Sequence, residues 1–285
     1  MTEVFRSGLL DGTTVVVTGG GSGLGRAAAL RLAELGARVA VFGRREHALR
    51  ETAQLVEEAG GRAAFAACDI RDSKAVVRAF DLAEETLGPA DRLVNNAAGN
   101  FLCPSEDLSD NAFDSVVRIV LHGAFFCTRE LGRRLIASGR PGAVVSIVTT
   151  YAASGSGFVL PSAVAKAGVQ AMTRSLAVEW AAYGIRLNAV APGLFPTEGA
   201  FSRLVPHPEV EREALARIPA RRFGEHQELT NLIAYLLSDI SPFQTGDVVT
   251  IDGGESLLSG QQFSGFTRLD RAQARAMMAA LRERR

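Results

Sequence analysis

The chain has few cysteines and no net charge, and these two absences exclude several classes of protein. Its 285 residues include only three cysteines, Cys68, Cys103 and Cys127. An odd number of widely spaced cysteines fits neither a disulfide framework nor a zinc site, so we expect a reducing compartment and no metal. Lysine plus arginine and aspartate plus glutamate both number 31. A neutral chain gives no electrostatic reason to expect nucleic acid or an anionic membrane as a partner.

Targeting and membrane-spanning patterns are also missing. No run approaches the roughly 18 consecutive apolar residues of a membrane span. The opening residues lack a basic stretch followed by an apolar one, and the closing run Leu-Arg-Glu-Arg-Arg is not a short address signal. We therefore expect a chain that is neither exported nor membrane-spanning, and that works in a bacterial cytoplasm.

Short β-branched or apolar runs alternate along the chain with longer amphipathic segments. The runs that predict strands are 13–18, 37–42, 63–67, 91–95, 143–148, 185–190 and 247–251. Apolar spacing of three and four residues predicts helices at about 23–35, 46–59, 73–87, 110–138, 161–182 and 225–238. The strands are almost continuously apolar, as expected when helices cover both faces of a parallel sheet. The predicted fold class is α/β, a Rossmann-type doubly wound, seven-stranded parallel sheet.

No linker or internal repeat interrupts this alternation of predicted strands and helices, so we expect a single domain over residues 1–285. Residues 196–224 form the longest irregular insertion and follow the sixth predicted strand, a position from which they could close over a ligand as a lid. Residues 256–285 form a C-terminal tail. Its last part, 268–285, has the pattern of a basic amphipathic helix, for which we expect packing or subunit contact rather than ligand binding.

A glycine-rich turn follows the first predicted strand and leads directly into a helical pattern. Such a turn lets the backbone approach a pyrophosphate while the N–H groups of the next helix attract its charge. The residues expected to bind phosphate are Gly19, Gly21, Ser22, Gly23, Leu24 and Gly25. A plain strand-to-helix turn is the alternative, but the position at a strand–helix junction favours a dinucleotide site.

The end of the second predicted strand indicates which dinucleotide is bound. NAD-selective folds place an acidic residue there, whereas this chain has Arg44 and Arg45 after a glycine. Arg44 can pair with a 2′-phosphate, which favours NADPH over NADH, although a solvated helix start is the alternative. Asp69, which follows the third predicted strand, is placed to meet the adenine edge. An ordinary helix N-cap fits its spacing equally well.

Three motifs together resemble the short-chain dehydrogenase/reductase family over about residues 8–255. They are the TGxxxGxG turn, the run Asn95-Asn96-Ala97-Ala98-Gly99 after the fourth predicted strand, and Pro192-Gly193 after the sixth. Most members of that family carry a YxxxK pair, in which the tyrosine donates a proton and the lysine holds the nicotinamide ribose. This chain has the lysine as Lys166 but has Ser162 in place of the tyrosine.

That departure resembles the 2,4-dienoyl-CoA reductase branch of the family. Members of this branch have a relocated tyrosine, a serine before the lysine and an asparagine after the NNAAG element, here Tyr151, Ser162 and Asn100. The resemblance implies NADPH-dependent reduction of a 2,4-dienoyl-CoA to an enoyl-CoA through a dienolate, in the β-oxidation of unsaturated fatty acids. Tyr151 and Asn100 would hold the thioester oxygen of the substrate. A homotetramer is usual for the family.

The resemblance also implies roles for further residues. Lys166 would hold the nicotinamide ribose. Ser162 would form a hydrogen bond either with a cofactor phosphate or with a group next to Lys166, and Thr149 could donate a hydrogen bond. Other expected cofactor contacts are Ile70, Asn96, Pro192, Gly193, Leu194, Phe195 and Thr197. The polyanionic acyl-CoA substrate requires local basic groups in a neutral chain, and its expected contacts are Arg44, Arg71, Asn100, Phe101, Ser109 and Arg203. Taken singly, each of these arginines is more often a solvated surface charge.

Several alternatives stay open. His122 stands where we place the family's water-relay asparagine, and it either holds that water or is a satisfied helix histidine. A trans-2-enoyl-CoA reductase differs chiefly in which carbon receives the hydride. A 3-oxoacyl reductase should have tyrosine at position 162. A non-catalytic NADP-binding sensor is the remaining rival.

Overall fold

The computed structural model of this chain describes residues 3, 5–197, 208–258, 270, 272–273 and 275–277. Its strands are β1 (Thr14–Thr18), β2 (Arg38–Gly43), β3 (Arg62–Ala67), β4 (Arg92–Asn95), β5 (Gly142–Ile147), β6 (Ile185–Pro192) and β7 (Val248–Ile251). They form one sheet in the order β3-β2-β1-β4-β5-β6-β7, with parallel pairing. The predicted α/β class with a seven-stranded parallel sheet is confirmed.

Within the described residues, the predicted helices are present in the predicted order and close to their predicted boundaries, together with three helices that were not predicted. In chain order the helices are α1 (Gly23–Glu34), α2 (Glu46–Glu58), α3 (Ser73–Leu87), α4 (Asp110–Val117), α5 (Gly123–Ser138), α6 (Tyr151–Ser154), α7 (Leu160–Trp180), α8 (Pro208–Arg217), α9 (His226–Leu237) and α10 (Glu255–Leu258). The single helix predicted over 110–138 is wrong in one respect, because a π-helical turn, Arg118–His122, separates α4 from α5. Such turns are rare and often mark functional sites.

The insertion predicted to be irregular over 196–224 contains a helix that the sequence argument missed. Helix α8 begins at Pro208 and carries Glu209 and Glu211 in its first turn. Proline at the start of a helix and acidic residues in its first turn are both favourable, because the N-terminus has unpaired N–H groups and a partial positive charge. These signals were present in the sequence.

Continuous burial explains why the strands lack alternation. Every residue of β1 and of β5 is buried. One apolar cluster, which includes Phe42, Phe80 and Leu131, joins the sheet to α3 and α5, and a second includes Ala165 of α7 and Ala189 of β6. Because β1, β4 and β5 are adjacent and parallel, the loops that follow them leave the sheet at one edge. The candidate site residues come from these loops.

The chain forms two compact units, the larger comprising Met1–Pro192 and Glu225–Thr250, the smaller comprising Gly193–Gly224 and Ile251–Arg285. Within the smaller unit, the N–H of Gly193 donates to the carbonyl of Ile251 at 2.9 Å, and the N–H of Gly224 donates to that of Leu194 at 3.0 Å. The expectation of one domain over 1–285 stays a prediction. So does the tail helix over 268–285, most of which lies outside the described residues.

Three further findings concern the cysteines, membrane-spanning helices and groups of metal-ligating side chains. Cys68, Cys103 and Cys127 are all free thiols. In the described part of the chain, no helix is long and apolar enough to cross a membrane. Within the same residues, no group of three histidine, cysteine or acidic side chains could hold a metal ion.

Candidate active site

The glycine-rich turn between β1 and α1 has a backbone that only glycine accommodates well. Gly19 has a φ of +68° in the left-handed region, and its N–H donates to the carbonyl of Phe42 at 2.7 Å. A Cβ added at Gly25 would stand 2.3 Å from the carbonyl oxygen of Gly19. The side chain of Ser22, the N-cap residue, makes no capping hydrogen bond to α1. The turn therefore offers helix N–H groups to an anion, as a dinucleotide phosphate requires.

Asn96, for which a cofactor contact stays a prediction, braces this turn. Its side-chain amide donates to the carbonyl of Thr18 at 3.0 Å, and its backbone N–H donates to the hydroxyl of Thr18 at 3.0 Å. The backbone N–H of Ala97 reaches the same hydroxyl at 3.1 Å. These bonds tie the loop after β4 to the end of β1, so Asn96 fixes the shape of the phosphate-binding turn.

The two arginines after β2 have different surroundings. Arg44 is exposed, and its charge helps to lower the pKa of Asp69. Arg45, which the sequence argument did not assign, is the N-cap residue of α2 and donates from Nη2 to the hydroxyl of Ser22 at 2.9 Å. Both guanidinium groups therefore stand close to residues expected to bind cofactor. The adjacent pair of arginines was the signal available in the sequence.

Asp69 and Arg71, which were predicted to bind different ligands, pair with each other. The guanidinium of Arg71 donates from Nε to Oδ1 at 3.0 Å and from Nη2 to Oδ2 at 2.6 Å. These hydrogen bonds lower the pKa of Asp69. The N-cap alternative for Asp69 is wrong, because Asp72 caps α3 by accepting from the N–H of Lys74 at 2.8 Å. The neighbouring Ile70 is buried.

Asn100, Tyr151 and Ser162 form a continuous line of polar side chains. The side-chain amide of Asn100 donates to Tyr151 Oη at 3.3 Å, and this oxygen lies 3.1 Å from Ser162 Oγ. Asn100 follows β4, Tyr151 begins α6 after β5, and Ser162 lies in the first turn of α7. Their separation in sequence is large, and the neighbouring ends of β4 and β5 bring them together.

The orientation of the Asn100 side chain is fixed by the backbone of the next residue. Its Oδ1 accepts a hydrogen bond from the N–H of Phe101 at 2.9 Å. The amide NH2 group therefore points towards Tyr151. Asn100 is exposed, Tyr151 is half-buried and Ser162 is buried, so the line runs from the surface into the interior.

Lys166 lies behind this line, on α7. It is buried and donates a hydrogen bond to the carbonyl of Ile147 at the end of β5. Removal from water disfavours the charged ammonium and lowers the pKa of Lys166 to about 8. Lys166 lines a narrow cavity together with Asn95 and Val120. Asn95 is buried and donates to the hydroxyl of Thr128 at 2.8 Å.

His122 does not lie where a relay next to Lys166 would need it. It belongs to the π-helical turn but is exposed, and its ring packs against that of Phe126 with centroids 6.0 Å apart. The residue of the same turn that lines the cavity is the apolar Val120. The side chain of Val120 cannot hydrogen-bond a water. The exposed position of His122 therefore favours a surface histidine over a relay residue.

The remaining predicted residues are more scattered. Thr149 is half-buried in the turn after β5. Ser109 is the N-cap of α4, and its hydroxyl accepts from the N–H of Ala112 at 3.3 Å. Pro192 ends β6, whereas Gly193, Leu194, Phe195 and Thr197 belong to the smaller unit. Arg203 lies outside the described residues. The functional roles of all these residues stay predictions.

Comparison with known proteins places this chain in a family. A family model described as enoyl-(acyl carrier protein) reductase matches residues 19–256. A probable 2,4-dienoyl-CoA reductase of Caenorhabditis elegans, named as producing a (3E)-enoyl-CoA, is 43% identical over 88% of this chain and 83% of its own length. A probable 2,4-dienoyl-CoA reductase of Bacillus subtilis, named as producing a (2E)-enoyl-CoA, is 40% identical over 87% of this chain and 98% of its own length.

A solved structure is similar to this chain in both fold and sequence. A candidate 2-deoxy-D-gluconate 3-dehydrogenase of Agrobacterium tumefaciens, solved with NADP bound, has a TM-score of 0.81 and 33% identity over 88% of this chain and 99% of its own. The chain belongs to the short-chain dehydrogenase/reductase family and is an oxidoreductase of that family. Its predicted resemblance to the 2,4-dienoyl-CoA reductase branch is confirmed by the two relatives of that name.

We expect Lys166 to lose its proton near pH 8 instead of the usual 10.5. Side-chain NMR of the ligand-free protein measures this midpoint. Because the chain has only two lysines, Lys166 and Lys74, the Lys74→Arg variant assigns the Lys166 signal. A Lys166 midpoint near 10.5 would contradict the effect of burial.

The same shift makes stability depend on pH. Between about pH 8 and 10.5 the unfolded chain binds more protons at Lys166 than the folded chain does, so the contribution of Lys166 to the free energy of unfolding rises with pH. Relative to Lys166→Met, the natural chain should gain about 2 kcal/mol between about pH 7 and 9.5 in urea unfolding. A difference that stays constant with pH would contradict this.

Proposed function

We propose that this oxidoreductase reduces 2,4-dienoyl-CoA thioesters to enoyl-CoA with NADPH. The observation that carries the proposal is the 3.3 Å hydrogen bond between Asn100 and Tyr151. It brings two hydrogen-bond donors, from different loops, to one place. The two relatives named as 2,4-dienoyl-CoA reductases lend support, because they are similar over most of the chain.

Reduction of a conjugated dienoyl thioester at its distal carbon moves negative charge onto the thioester oxygen, which forms a dienolate. Tyr151 Oη can accept one hydrogen bond from Asn100 and another from the hydroxyl of Ser162, and its own proton is then free to point at that oxygen. Asn100 has a second N–H for the same oxygen. A well-placed donor of this kind contributes about 3–4 kcal/mol in the transition state.

Ser162 has a role of its own in this arrangement. As a donor to Tyr151 Oη it polarises the phenol, and a polarised phenol is a stronger donor to the dienolate oxygen. Tyr151 keeps its proton, because the charge is later neutralised when solvent protonates the α-carbon. Thr149, close by in the turn after β5, can supply a further hydrogen bond.

The turn after β1 fits a dinucleotide, since the lack of a Cβ at Gly25 lets α1 start against the carbonyl of Gly19 and the side chain of Ser22 leaves the N-terminus of α1 uncapped. NADPH, when bound, supplies the hydride. Lys166 would bind its ribose hydroxyls, and Arg44 would pair with its 2′-phosphate. Asp69, now paired with Arg71, would meet the adenine edge.

Three rival functions use the same scaffold. A 3-oxoacyl reductase must give a proton to an alkoxide, and position 162 carries serine instead of the expected tyrosine. A trans-2-enoyl-CoA reductase also forms an enolate, so it remains the second candidate. A non-catalytic sensor has no need for Asn100, Tyr151 and Ser162 to converge.

We also propose, from the family resemblance, that the protein takes part in unsaturated fatty acid β-oxidation. The same resemblance leads us to propose a cytoplasmic location and a homotetramer.

Tyr151→Phe should lower kcat by about one to three orders of magnitude, the loss of one oxyanion donor, while leaving the Kd of NADPH nearly unchanged. Turnover of a dienoyl-CoA and fluorescence titration of NADPH measure the two effects. Tyr183→Phe is a matched control, because Tyr183 is 53% exposed in a turn after α7. Equal turnover in the natural chain and in Tyr151→Phe would refute the assignment.

Arg44→Asp should lower the ratio of kcat/KM for NADPH to that for NADH by about 10–100-fold, because a charge-assisted hydrogen bond to phosphate is lost and replaced by repulsion. Arg62→Asp makes the same charge change at the exposed start of β3 and should leave the ratio unaltered. An unchanged ratio in Arg44→Asp would remove Arg44 from the cofactor site and leave Arg45 as the candidate.

A further inference from the structure

Phe158 has an unusual backbone conformation for a bulky residue. Its φ is +65°, in the left-handed region, where the Cβ of an L-residue crowds the following carbonyl at an energetic cost. Burial of the ring does not offset this cost, because Phe158 is 62% exposed. A strained residue that presents an aromatic ring to solvent is the kind of feature that a binding site retains.

Phe158 also lies close to the proposed oxyanion donors. The N–H of Cys103 donates to its carbonyl at 2.9 Å. Cys103 is three residues after Asn100, and Phe158 is four residues before Ser162. The segment that carries Asn100 and the segment that joins Tyr151 to Ser162 are therefore hydrogen-bonded twice, once through side chains and once through backbone.

The side chains next to this backbone hydrogen bond are large, apolar and exposed. We call them the apolar rim, and they are Phe101, Leu102, Phe158 and Leu160, which are 38%, 63%, 62% and 42% exposed. The two segments, 97–105 and 148–160, contain no charged residue. Exposed apolar side chains grouped beside a polar site are typical of ligand recognition.

The chemistry of the rim selects which part of a substrate it can bind. The phosphates of coenzyme A need positive charge, which neither segment has. An acyl chain needs only apolar surface, and it begins at the same thioester whose oxygen Asn100 and Tyr151 would hold. The rim therefore suits the carbons of the substrate that lie beyond the conjugated bonds.

We propose that Phe158 and the apolar rim bind the acyl chain and set the preference of the enzyme for chain length. This inference rests on the proposed function and adds a specificity-determining residue to it. Each methylene that leaves water gains about 0.8 kcal/mol when fully buried. On a rim that covers one side of the chain, we expect about half of that, or about a twofold gain in kcat/KM per methylene.

The test compares 2,4-hexadienoyl-CoA with 2,4-decadienoyl-CoA in three variants. Phe158→Gly removes the ring and relieves the positive φ, so it should fold at least as stably as the natural chain, which its Tm will show. Phe158→Leu keeps an apolar side chain. Leu82→Ala is the control for a remote site, because Leu82 is 46% exposed on α3. The Kd values of the saturated hexanoyl-CoA and decanoyl-CoA, measured with NADP bound, give a second ratio that needs no turnover.

We expect the natural chain to favour the ten-carbon dienoyl substrate by about 15-fold, since the two substrates differ by four methylenes. Phe158→Gly should lose most of that preference in both ratios, whereas Phe158→Leu and Leu82→Ala should keep it. Unchanged ratios in Phe158→Gly, or an equal loss in Leu82→Ala, would overturn the inference. If no dienoyl-CoA is reduced but the ratio of Kd values still collapses in Phe158→Gly, the proposed function fails and the acyl-chain site stands.

Discussion

The candidate site depends on the hydrogen bond that joins Asn100 to Tyr151. Neither residue is near the other in sequence, and each is placed by a strand of the parallel sheet, because β4 and β5 are neighbours and end at the same edge. The backbone N–H of Phe101 orients the amide of Asn100, and Ser162 reaches Tyr151 from the first turn of α7. If the two strands were not adjacent, Asn100 and Tyr151 could not reach each other.

Several features of this site are energetically unfavourable for the folded chain. Lys166 is a buried ammonium whose pKa is lowered to about 8, and Phe158 has a positive φ. The π-helical turn at Arg118–His122 interrupts an otherwise continuous helix and places Val120 against the cavity. Each of these features goes against local preference, which proteins tolerate where function requires it.

The strands could be predicted because burial on both faces leaves continuous apolar runs, as in β1 and β5. Tyr151, Ser162 and Asn100 could be found only through the family pattern, since no local rule pairs residues this far apart. The pairing of Arg71 with Asp69 and the contact of Arg45 with Ser22 depend on side-chain geometry that spacing does not contain. His122, for which a relay and a plain helix histidine both stayed open, is exposed, and Val120 of the same π-helical turn lines the cavity.

The central claim is that the converging donors serve a dienolate. The most direct measurement is the rate of NADPH oxidation with 2,4-dienoyl-CoA, trans-2-enoyl-CoA and 3-oxoacyl-CoA substrates of equal chain length. We predict that the dienoyl thioester is reduced at least about tenfold faster than the other two, because a site matched to one transition state discriminates by differential binding. A faster reaction with the enoyl or 3-oxoacyl substrate, or no reaction with any of the three, would contradict the account.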